Sequence, residues 1–406
     1  MFMKNIIALL MLLFLVSCEQ KSGNKSELKP DIYRAILDVQ DDKQLPFVME
    51  VVSRNHFKVY NAEEIIDVDE IEYFNDSIKI KMPFFEGYMI AKIENGNLNG
   101  KFIKESLDRI VPFRTVRNAN RFDITSDANT QITGNWETVF SQGIDEDEYI
   151  AKGIFKQNGN KVTGTFRTTT GDYRYLEGVM DGNELKLSAF DGAHAFLFTA
   201  TVKGDTVEGY FYSGNHWKEP FVAKRNETYE LPDASSLTFL KEGYDKFEFS
   251  FPDENGKKIS LDESRFQNKV VIVQIMGSWC PNCLDESRFY TKYYDENKSK
   301  AIEFVGLAFE YAKTESRAFK SIKRMKDKVG IKYPVLLAQY GSSDKVLAQE
   351  KLPMLNHVLS YPTSIFIDKK GNVRKIHTGF DGPATGEKYT AFKNEFETFI
   401  DDLLKE

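Results

Sequence analysis

Cysteine and histidine are scarce in this chain, which has three cysteines and five histidines among its 406 residues. A structural zinc site takes four ligands, commonly from two closely spaced Cys or His pairs. Cys280 and Cys283 form one such pair, and no second Cys pair or close His pair accompanies it. The sequence therefore predicts no metal site, and no other feature of it indicates a cofactor.

The chain also lacks an excess of positive charge. Its 54 Lys and Arg residues face 61 Asp and Glu, and the formal net charge is −7. Such mild acidity gives no electrostatic footprint for nucleic acid, so we predict no nucleic-acid partner. Beyond the N-terminal segment no run is apolar enough to cross a membrane, and a chain of this length predicts two or three domains.

The N-terminal segment predicts where the protein is found. Lys4 precedes an apolar run over residues 6–16, which is too short to span a bilayer and long enough for a signal peptide. Its end, Leu15-Val16-Ser17-Cys18, resembles a bacterial lipoprotein signal. That resemblance implies cleavage of residues 1–17, lipidation of Cys18 and attachment to a membrane on the periplasmic side of the cell envelope. The alternative is an ordinary signal peptide with an incidental cysteine. The polar residues 18–30 predict a flexible tether.

Residues 31–230 show alternating apolar and polar positions with regular turn signals, which predict an all-β antiparallel domain. Gly-Asn or Gly-Asp pairs begin at Gly96, Gly159 and Gly204, as expected between hairpin strands. Residues 112–118 and 220–226 are similar in sequence and suggest two repeated halves, 31–118 and 131–228. Halves of this size predict a barrel or a pair of barrel-like sheets.

This β-rich region offers little that indicates catalysis. Gly134-Asn135-Trp136 resembles the opening of calycin-type barrels, and Trp136 is interpreted as a core residue. His194 and His216 stand far apart without carboxylates or cysteines at ligand spacing, so they are interpreted as surface or core residues. The region is expected to bind or to position, with a ligand that the sequence does not identify.

Residues 237–406 predict an α/β domain in which helices cover both faces of a central sheet. A hairpin is expected over residues 247–261, followed by strands at 269–276, 302–308, 333–337 and 364–368. Helices are expected from the second cysteine to about residue 294, across 315–329 and across 392–404, the last with an apolar stripe.

The two paired cysteines lie in Trp279-Cys280-Pro281-Asn282-Cys283, directly after the apolar run 270–275. A Cys-x-x-Cys at a strand-to-helix turn is the thioredoxin-type redox motif. The turn places an exposed Cys280 sulfur over unpaired N–H groups at the positive end of a helix dipole, which favours its thiolate. Cys280 is predicted to attack a disulfide and Cys283 to resolve the mixed disulfide. The alternatives are zinc ligation or two buried structural cysteines.

The C-terminal segment resembles the TlpA/ResA-like branch of the thioredoxin superfamily, whose members are membrane-tethered thiol-disulfide oxidoreductases. Besides the cysteine motif, the resemblance rests on Tyr361-Pro362-Thr363, on Ile365-Phe366-Ile367-Asp368, on Gly371-Asn372-Val373 and on Gly379. It implies a cis Pro362 facing the dithiol and a substrate site that includes Trp279, Pro281, Tyr361 and Pro362. It also implies a reductase that acts on disulfide-bearing or thiol-bearing proteins and receives electrons from a membrane donor of the thiol-disulfide relay type.

One departure from many thioredoxins concerns the proton of Cys283. Gln274 stands where they carry a buried Asp, and an amide cannot accept that proton. ResA-like proteins use a Glu three residues after the second cysteine, and Glu286 occupies that position here. The resemblance therefore implies that Glu286 is the base, whereas the alternative is a solvated surface carboxylate.

Two other functions remain open at this point. The first is a lipoprotein binding or scaffold module in which the β-rich region carries the main function. The second is a peroxiredoxin-like peroxidase, which needs a Thr and a Pro upstream of its cysteine, whereas this chain has Met276-Gly277-Ser278-Trp279.

Overall fold

The computed structural model describes residues 28–406, so Cys18 and the predicted signal peptide lie outside the described residues. The first structural unit is an antiparallel sheet of nine strands. Its strands are β1 (Asp31–Asp38), β2 (Gln44–Ser53), β3 (His56–Asn61), β4 (Glu64–Val68), β5 (Glu70–Phe74), β6 (Ser77–Lys81), β7 (Tyr88–Glu94), β8 (Asn97–Lys104) and β9 (Arg109–Arg117).

This first sheet is curled into a barrel-like shape. Its strand order is β4-β3-β2-β1-β9-β8-β7-β6-β5, so β4 and β5 form its two edges. Only Asp69 separates these two strands in the sequence, and one residue spans at most ~3.6 Å. The two edges therefore lie close together at that corner, and the buried side chains of the sheet form a core inside the curl.

The second unit is a closed antiparallel barrel. Its strands are β10 (Gly134–Phe140), β11 (Tyr149–Asn158), β12 (Lys161–Thr168), β13 (Gly171–Asp172), β14 (Leu176–Asp181), β15 (Glu184–Phe190), β16 (Ala195–Lys203), β17 (Thr206–Ser213) and β18 (Trp217–Arg225). β10 pairs with β18, and β11 pairs with β12, which closes a ring of eight strands and leaves β13 as a short addition. We call this unit the barrel.

Aromatic side chains fill the barrel. Trp136 on β10 is fully buried, and its indole N–H donates to the Ile132 carbonyl over 2.8 Å, as expected for a core residue. The other rings inside pack edge-to-face or stacked at 4.7–6.4 Å between centroids, among them Phe140, Phe155, Phe166, Phe198, Phe211 and Phe221. This arrangement leaves the mouth of the barrel, rather than its interior, available for a site.

The C-terminal domain is a five-stranded sheet flanked by helices. Its elements are α1 (Ala234–Leu237), β19 (Ser250–Pro252), β20 (Lys258–Ser260), β21 (Val270–Met276), α2 (Pro281–Glu296), β22 (Ile302–Phe309), α3 (Glu315–Val329), β23 (Val335–Gln339), α4 (Lys345–Lys351), β24 (Thr363–Ile367), β25 (Val373–Thr378) and α5 (Glu387–Lys405). The sheet order is β23-β22-β21-β24-β25; β21, β22 and β23 are parallel, β24 is antiparallel to β21, and β25 is antiparallel to β24. All seven residues of the central strand β21 are buried, which explains its continuous apolar run.

The structure confirms the predicted fold class, an all-β antiparallel region with barrel-like sheets followed by an α/β thioredoxin-like domain. Three local predictions were wrong. The third strand of the sheet, predicted at 333–337, runs over Val335–Gln339, because Tyr333 and Pro334 only lead into it. α5 begins at Glu387, five residues early, since its first turn carries few apolar residues. The short helix α4 was not predicted at all, and Asp344 caps it by accepting from Val346 and Leu347 N–H.

Candidate active site

The first cysteine sits at the N-terminus of α2. Cys280 is the N-cap residue, Pro281 is the first helical residue, and the Cys283 N–H donates to the Cys280 Sγ over 3.2 Å. The Cys280 thiol itself lies 3.3 Å from the Tyr361 carbonyl oxygen. Helix N–H groups and the positive end of the helix dipole thus face the Cys280 sulfur, which is the arrangement that stabilises a thiolate.

Cys280 is less exposed than predicted. Only 6% of its surface is accessible, and Cys283 is fully buried. The prediction of an exposed Cys280 sulfur was therefore wrong. The reason is that Cys280 forms part of the wall of a cavity between the C-terminal domain and the barrel, so that its surroundings include side chains from both.

Glu286 lies one turn after Cys283 and is fully buried, which rules out the alternative of a solvated surface carboxylate. Its carboxyl group accepts from Gln274 Nε2 at 2.8 Å, from the Ser364 hydroxyl at 2.9 Å and from the Tyr290 hydroxyl at 3.1 Å. Burial raises the pKa of Glu286 to about 7, although these three hydrogen bonds oppose the shift. A group with this pKa can take up and release a proton near neutral pH.

Gln274 cannot act as a base, but its side chain holds other groups of the site in place. Its amide nitrogen also lies 3.3 Å from the Cys283 carbonyl oxygen, so one side chain bridges the second cysteine and Glu286. Its amide oxygen accepts from the Ser287 hydroxyl at 3.0 Å. Gln274 therefore fixes Glu286 relative to Cys283.

The second cysteine is a poor acid in this environment. Burial, followed by the interaction with Cys280, raises the pKa of Cys283 well above its usual value. Its thiol consequently needs a base if it is to become a nucleophile at neutral pH. Glu286 lies on the same helix and is buried. It is the residue that the resemblance to ResA-like proteins implies as this base.

The residues predicted to bind substrate surround Cys280. Trp279, Pro281 and Tyr361 line the cavity, and the rings of Trp279 and Tyr361 are 5.6 Å apart. Pro362 follows a cis peptide bond and is buried without lining the cavity. The structure thus brings these four residues together around the dithiol, and their contacts with a substrate stay a prediction.

A second buried carboxyl group, which the sequence reasoning missed, lies beside the motif. Glu310 follows β22 directly and accepts from both the N–H and the hydroxyl of Ser278, each at 2.7 Å. Burial raises its pKa to about 7. A carboxylate at the end of a mainly apolar strand was the available signal, because the carboxyl ends of parallel strands meet at one edge of such a sheet.

The cavity beside Cys280 has a volume of about 730 Å³ and is shared by all three units of the structure. The first sheet contributes Lys104 and Arg109, and the C-terminal domain contributes Trp279, Tyr311 and Lys345. The barrel mouth contributes mainly aromatic and polar residues, which are Tyr149, Thr168, Thr170, Gly171, Asp172, Tyr173, His194, Phe196, Phe211, His216, Trp217 and Glu219.

Pro281 and Asn282, the two residues between the cysteines, both form hydrogen bonds with the barrel. The Arg174 Nη1 donates to the Pro281 carbonyl over 3.2 Å, and the Asn282 side chain donates to the Asp172 carbonyl over 3.1 Å. Gly171, with φ of +139°, lies so close that a Cβ there would come within 2.1 Å of the Asn282 side-chain nitrogen. The β-rich region, for which the sequence predicted a binding or positioning role, therefore contacts the redox motif directly, through pairs of residues more than 100 positions apart.

Arg174 is the centre of a buried ion-pair cluster at this junction. It contacts Asp285 on α2 at 3.3 Å, Asp191 on the barrel at 3.7 Å and Glu64 on the first sheet. Burial alone would lower the pKa of Arg174, but the surrounding carboxylates outweigh it and raise the pKa. Asp285 points to this cluster and away from Cys283, so it is a structural partner rather than a second base.

The two histidines of the barrel were interpreted as surface or core residues, and that interpretation was incomplete. His194 and His216 both line the cavity beside Cys280, and His194 Nδ1 lies 3.2 Å from Asp191.

Within residues 28–406 no cluster of three or more His, Cys, Asp or Glu side chains has the geometry to hold a metal ion. Over the same residues no helix is long and apolar enough to cross a membrane.

Comparison with known proteins agrees with this geometry. A model of the Redoxin family matches residues 231–391. The thioredoxin-like protein YneN of Bacillus subtilis is 26% identical over 140 residues, which cover 34% of this chain and 73% of YneN. The thiol-disulfide oxidoreductase ResA of Halalkalibacterium halodurans is 26% identical over 147 residues, which cover 35% of this chain and 71% of that protein.

Solved structures are similar over the same part of the chain. A thiol-disulfide oxidoreductase from Bacteroides fragilis is 22% identical, with a TM-score of 0.27, and the match covers 37% of this chain and 99% of that one. A thioredoxin-family thiol:disulfide interchange protein from Chlorobium tepidum is 24% identical, with a TM-score of 0.28, over 37% and 97% of the two chains.

The fold of the C-terminal domain, its Cys-x-x-Cys at a helix N-terminus and its named relatives define a thiol-disulfide oxidoreductase of the thioredoxin superfamily. Its substrates are accordingly molecules that carry thiols or disulfides. Within that superfamily the C-terminal domain is similar to the TlpA/ResA-like proteins, and the chain carries an additional N-terminal β-region that reaches the dithiol.

Proposed function

We propose that this protein is a membrane-tethered, extracytoplasmic disulfide reductase that uses Cys280 and Cys283 as its redox pair. The observation that carries the proposal is the placement of Glu286. A fully buried carboxyl group with a pKa raised to about 7 lies one helical turn from a buried thiol that needs a base. A purely structural cysteine pair has no need of such a group.

In the proposed reaction the Cys280 thiolate attacks one sulfur of a substrate disulfide. A mixed disulfide forms, the substrate S–S bond breaks, and the first substrate thiolate leaves and is protonated from water. The Cys283 thiol then transfers its proton to the Glu286 carboxylate and attacks the Cys280 sulfur. The bond between Cys280 and the substrate sulfur breaks, and the second substrate thiolate leaves and takes up a proton from protonated Glu286 or from water. Two electrons have then passed to the substrate, and the protein retains a Cys280–Cys283 disulfide.

The direction and the location are proposed on chemical grounds. A compartment outside the cytoplasm keeps thiols oxidised, so a reductase there must be reduced again by a dithiol donor in the membrane. A lipid on Cys18 would hold the protein on the periplasmic side of the membrane, within reach of such a donor. The lipoprotein-like ending Leu15-Val16-Ser17-Cys18 supports this location.

Cysteine variants of the full-length protein test the use of the dithiol. We expect Cys280→Ser to abolish the reduction of a disulfide substrate, because no thiolate remains at the helix N-terminus. Cys283→Ser should trap mixed disulfides that are visible on non-reducing gels, since resolution is blocked. Turnover by Cys280→Ser at the wild-type rate would refute the proposal.

The midpoint potential of the pair tests the direction. A value of about −270 mV or lower is expected of a reductase, whereas about −120 mV would indicate an oxidant. The two alternative functions, a scaffold lipoprotein and a peroxidase, are not favoured, because the named relatives are thiol-disulfide oxidoreductases. A peroxide-consumption assay on the same protein separates the second alternative.

A further inference from the structure

The cavity beside Cys280 carries positive charge that the protein does not neutralise. Lys104, Arg109 and Lys345 line it from three different elements. Across the described part of the chain, none of these three side chains has a carboxylate oxygen within 4.0 Å of a charged nitrogen, whereas other cations such as Lys300, Lys313 and Arg324 do form such pairs. Lys104 is buried, and its ammonium group donates to the Ala193 carbonyl over 2.9 Å.

The acidic residues of the lining are engaged in internal hydrogen bonds. The Glu219 carboxylate accepts from the Tyr149 hydroxyl at 2.7 Å and from the Ser141 hydroxyl at 2.8 Å. The Asp172 carboxyl group accepts from the backbone N–H groups of Arg174 and Gly382. The three cations are therefore the charged groups of the lining that remain available to a bound molecule.

The floor and rim of the cavity are aromatic. Tyr149, Tyr173 and Phe211 form the barrel side, while Trp217, 41% exposed, and Trp279 stand at the rim. A volume of about 730 Å³ is within the range of pockets that enclose a small ligand or a few residues of a peptide. With Cys280 only 6% exposed, a disulfide on the compact surface of a folded domain has little access to its sulfur.

We propose that the barrel mouth is the substrate-recognition half of the active site and that it selects disulfides flanked by carboxylates on an extended peptide chain. Lys104, Arg109 and Lys345 attract the carboxylates, and the aromatic floor accommodates the neighbouring apolar groups. This inference rests on the proposed function, because it concerns the substrate that the same dithiol reduces. It assigns to the β-region a role that the C-terminal domain alone does not provide.

Three disulfide-bearing peptides of equal length test the inference with the full-length protein. Their cysteines are flanked by Asp and Glu, by Asn and Gln, or by Lys. We expect kcat/KM to be at least about tenfold higher for the acidic than for the basic peptide at low salt, and this ratio should shrink in 1 M salt, where charges are screened within ~3 Å. Equal kcat/KM values for the three peptides would overturn the inference.

Variants that remove a positive charge test which residues attract the acidic peptide. In Arg109→Gln/Lys345→Gln we expect kcat/KM for the acidic peptide to fall about tenfold, mainly through KM, with little change for the neutral peptide. The matched control is Lys101→Gln/Lys351→Gln, which removes the same charge from exposed positions on β8 and α4 outside the cavity. An equal loss in the control would show that overall charge, rather than the cavity, attracts the peptide, and would overturn the assignment.

Exchange with bis(2-hydroxyethyl) disulfide in excess separates the two proposals. This small neutral disulfide needs the dithiol but no charge recognition, so wild type and the Lys101→Gln/Lys351→Gln control should react with it at the same rate. If neither it nor any peptide reacts, the proposed function fails. If it reacts while the peptides show no charge preference, only the inference fails.

Discussion

Three hydrogen-bond donors from three elements surround the carboxyl group of Glu286: Gln274 on β21, Tyr290 on α2 and Ser364 on β24. Hydrogen bonds of this kind favour the ionised form, whereas full burial favours the neutral form and is the larger effect. The result is a carboxyl group with a pKa of about 7. A residue tuned in this way suits both proton uptake from Cys283 and later release.

The first prediction concerns resolution of the mixed disulfide. In Glu286→Gln the reaction at Cys280 should begin normally, while the lifetime of the mixed disulfide should increase about 100-fold near pH 7, as expected when a general base is lost. The difference should shrink at high pH, where Cys283 loses its proton to hydroxide. The matched control is Glu296→Gln, which changes an exposed carboxylate on the same helix. Equal lifetimes in wild type and Glu286→Gln would show that Cys283 uses another base.

The second prediction concerns stability. Because the pKa of Glu286 is raised from 4.5 to about 7, the folded protein between these pH values holds a proton that the unfolded chain has released. The contribution of this group to the free energy of unfolding is therefore complete below pH 4.5 and is lost as the pH rises through 7. The loss amounts to roughly 3 kcal/mol at ~1.4 kcal/mol per pKa unit.

Urea unfolding of wild type and Glu286→Gln across this pH range measures the effect. The difference between the two free energies of unfolding should move in favour of the variant as the pH rises. Glu310 and Asp172, whose pKa values are also raised to about 7 by burial, are present in both proteins and cancel in that difference. Parallel stability curves would contradict the raised pKa of Glu286.

At the residue scale, the Cys-x-x-Cys spacing was enough to single out Cys280 and Cys283, and the resemblance to ResA-like proteins added Glu286, which helix spacing places one turn from Cys283. The environment of these residues could not be predicted in the same way. Glu310 reaches Ser278 from a neighbouring strand, and Arg174 reaches Pro281 from another domain, so neither contact has a signature in the local sequence. The exposure of Cys280 was overestimated for the same reason.

At the scale of elements, the barrel turn at Thr170 lies very close to Gly379, the residue that follows β25, with almost no side-chain atoms between the two backbones. Gly379 has a φ of +77°, and a Cβ there would lie 2.8 Å from the backbone carbonyl carbon of Thr170. Its N–H donates to the Pro362 carbonyl over 2.9 Å. This glycine therefore allows the barrel to approach the segment that carries the predicted substrate-binding proline.

The third prediction tests that contact. Gly379→Ala should push the Thr170 turn away, make Cys280 more reactive toward iodoacetamide and destabilise the protein by more than the strain of a left-handed alanine, about 1 kcal/mol. Gly371→Ala is the control, because Gly371 has a similar φ of +84° and its nearest neighbour would be a lysine side-chain nitrogen 4.0 Å away. If the two variants lose the same stability and leave Cys280 alkylation unchanged, the close approach has no effect on the site.

The sequence predicted some elements of secondary structure correctly, but it did not predict how the strands of the barrel pair. α3 and the hairpin of β19 and β20 occur where the sequence indicated, because a Thr314 cap, Gly330 and turn residues mark their ends. Closure of the barrel was less predictable. The pairing of β10 with β18 joins residues about 85 positions apart, and alternation within a strand carries no information about its partner. The similarity of residues 112–118 and 220–226 does correspond to β9 and β18, the last strand of each sheet.

At the scale of the whole molecule, ion pairs connect the C-terminal domain to both the first sheet and the barrel. Arg324 on α3 contacts Glu70 on the first sheet at 2.6 Å, and Arg167 on the barrel contacts Asp381 at 2.9 Å. Together with the cluster around Arg174, these contacts fix the cavity beside the dithiol. The sequence could divide the chain into regions but could not reveal this assembly, because the Arg324–Glu70 and Arg167–Asp381 pairs join residues more than 200 positions apart.

The fourth prediction concerns attachment to a membrane. We expect the mature wild-type protein to sediment with membranes and Cys18→Ala to be released, because lipid chains contribute ~0.8 kcal/mol per buried CH₂ and stable attachment takes more than one signal. Fractionation after a high-salt wash measures this. Ser17→Ala, which keeps the cysteine, is the control. Retention of Cys18→Ala on the membrane would place the tether elsewhere.

The order of the three units along the chain has a consequence for biogenesis. Residues 31–225 form both β-units, and they precede Cys280 in synthesis and in any export that begins at the N-terminus. Domains generally fold as units in that order. We therefore expect the Asp172–Arg174 turn, which contacts Pro281 and Asn282, to be folded before the reactive thiol is made, and so to be in place to cover it.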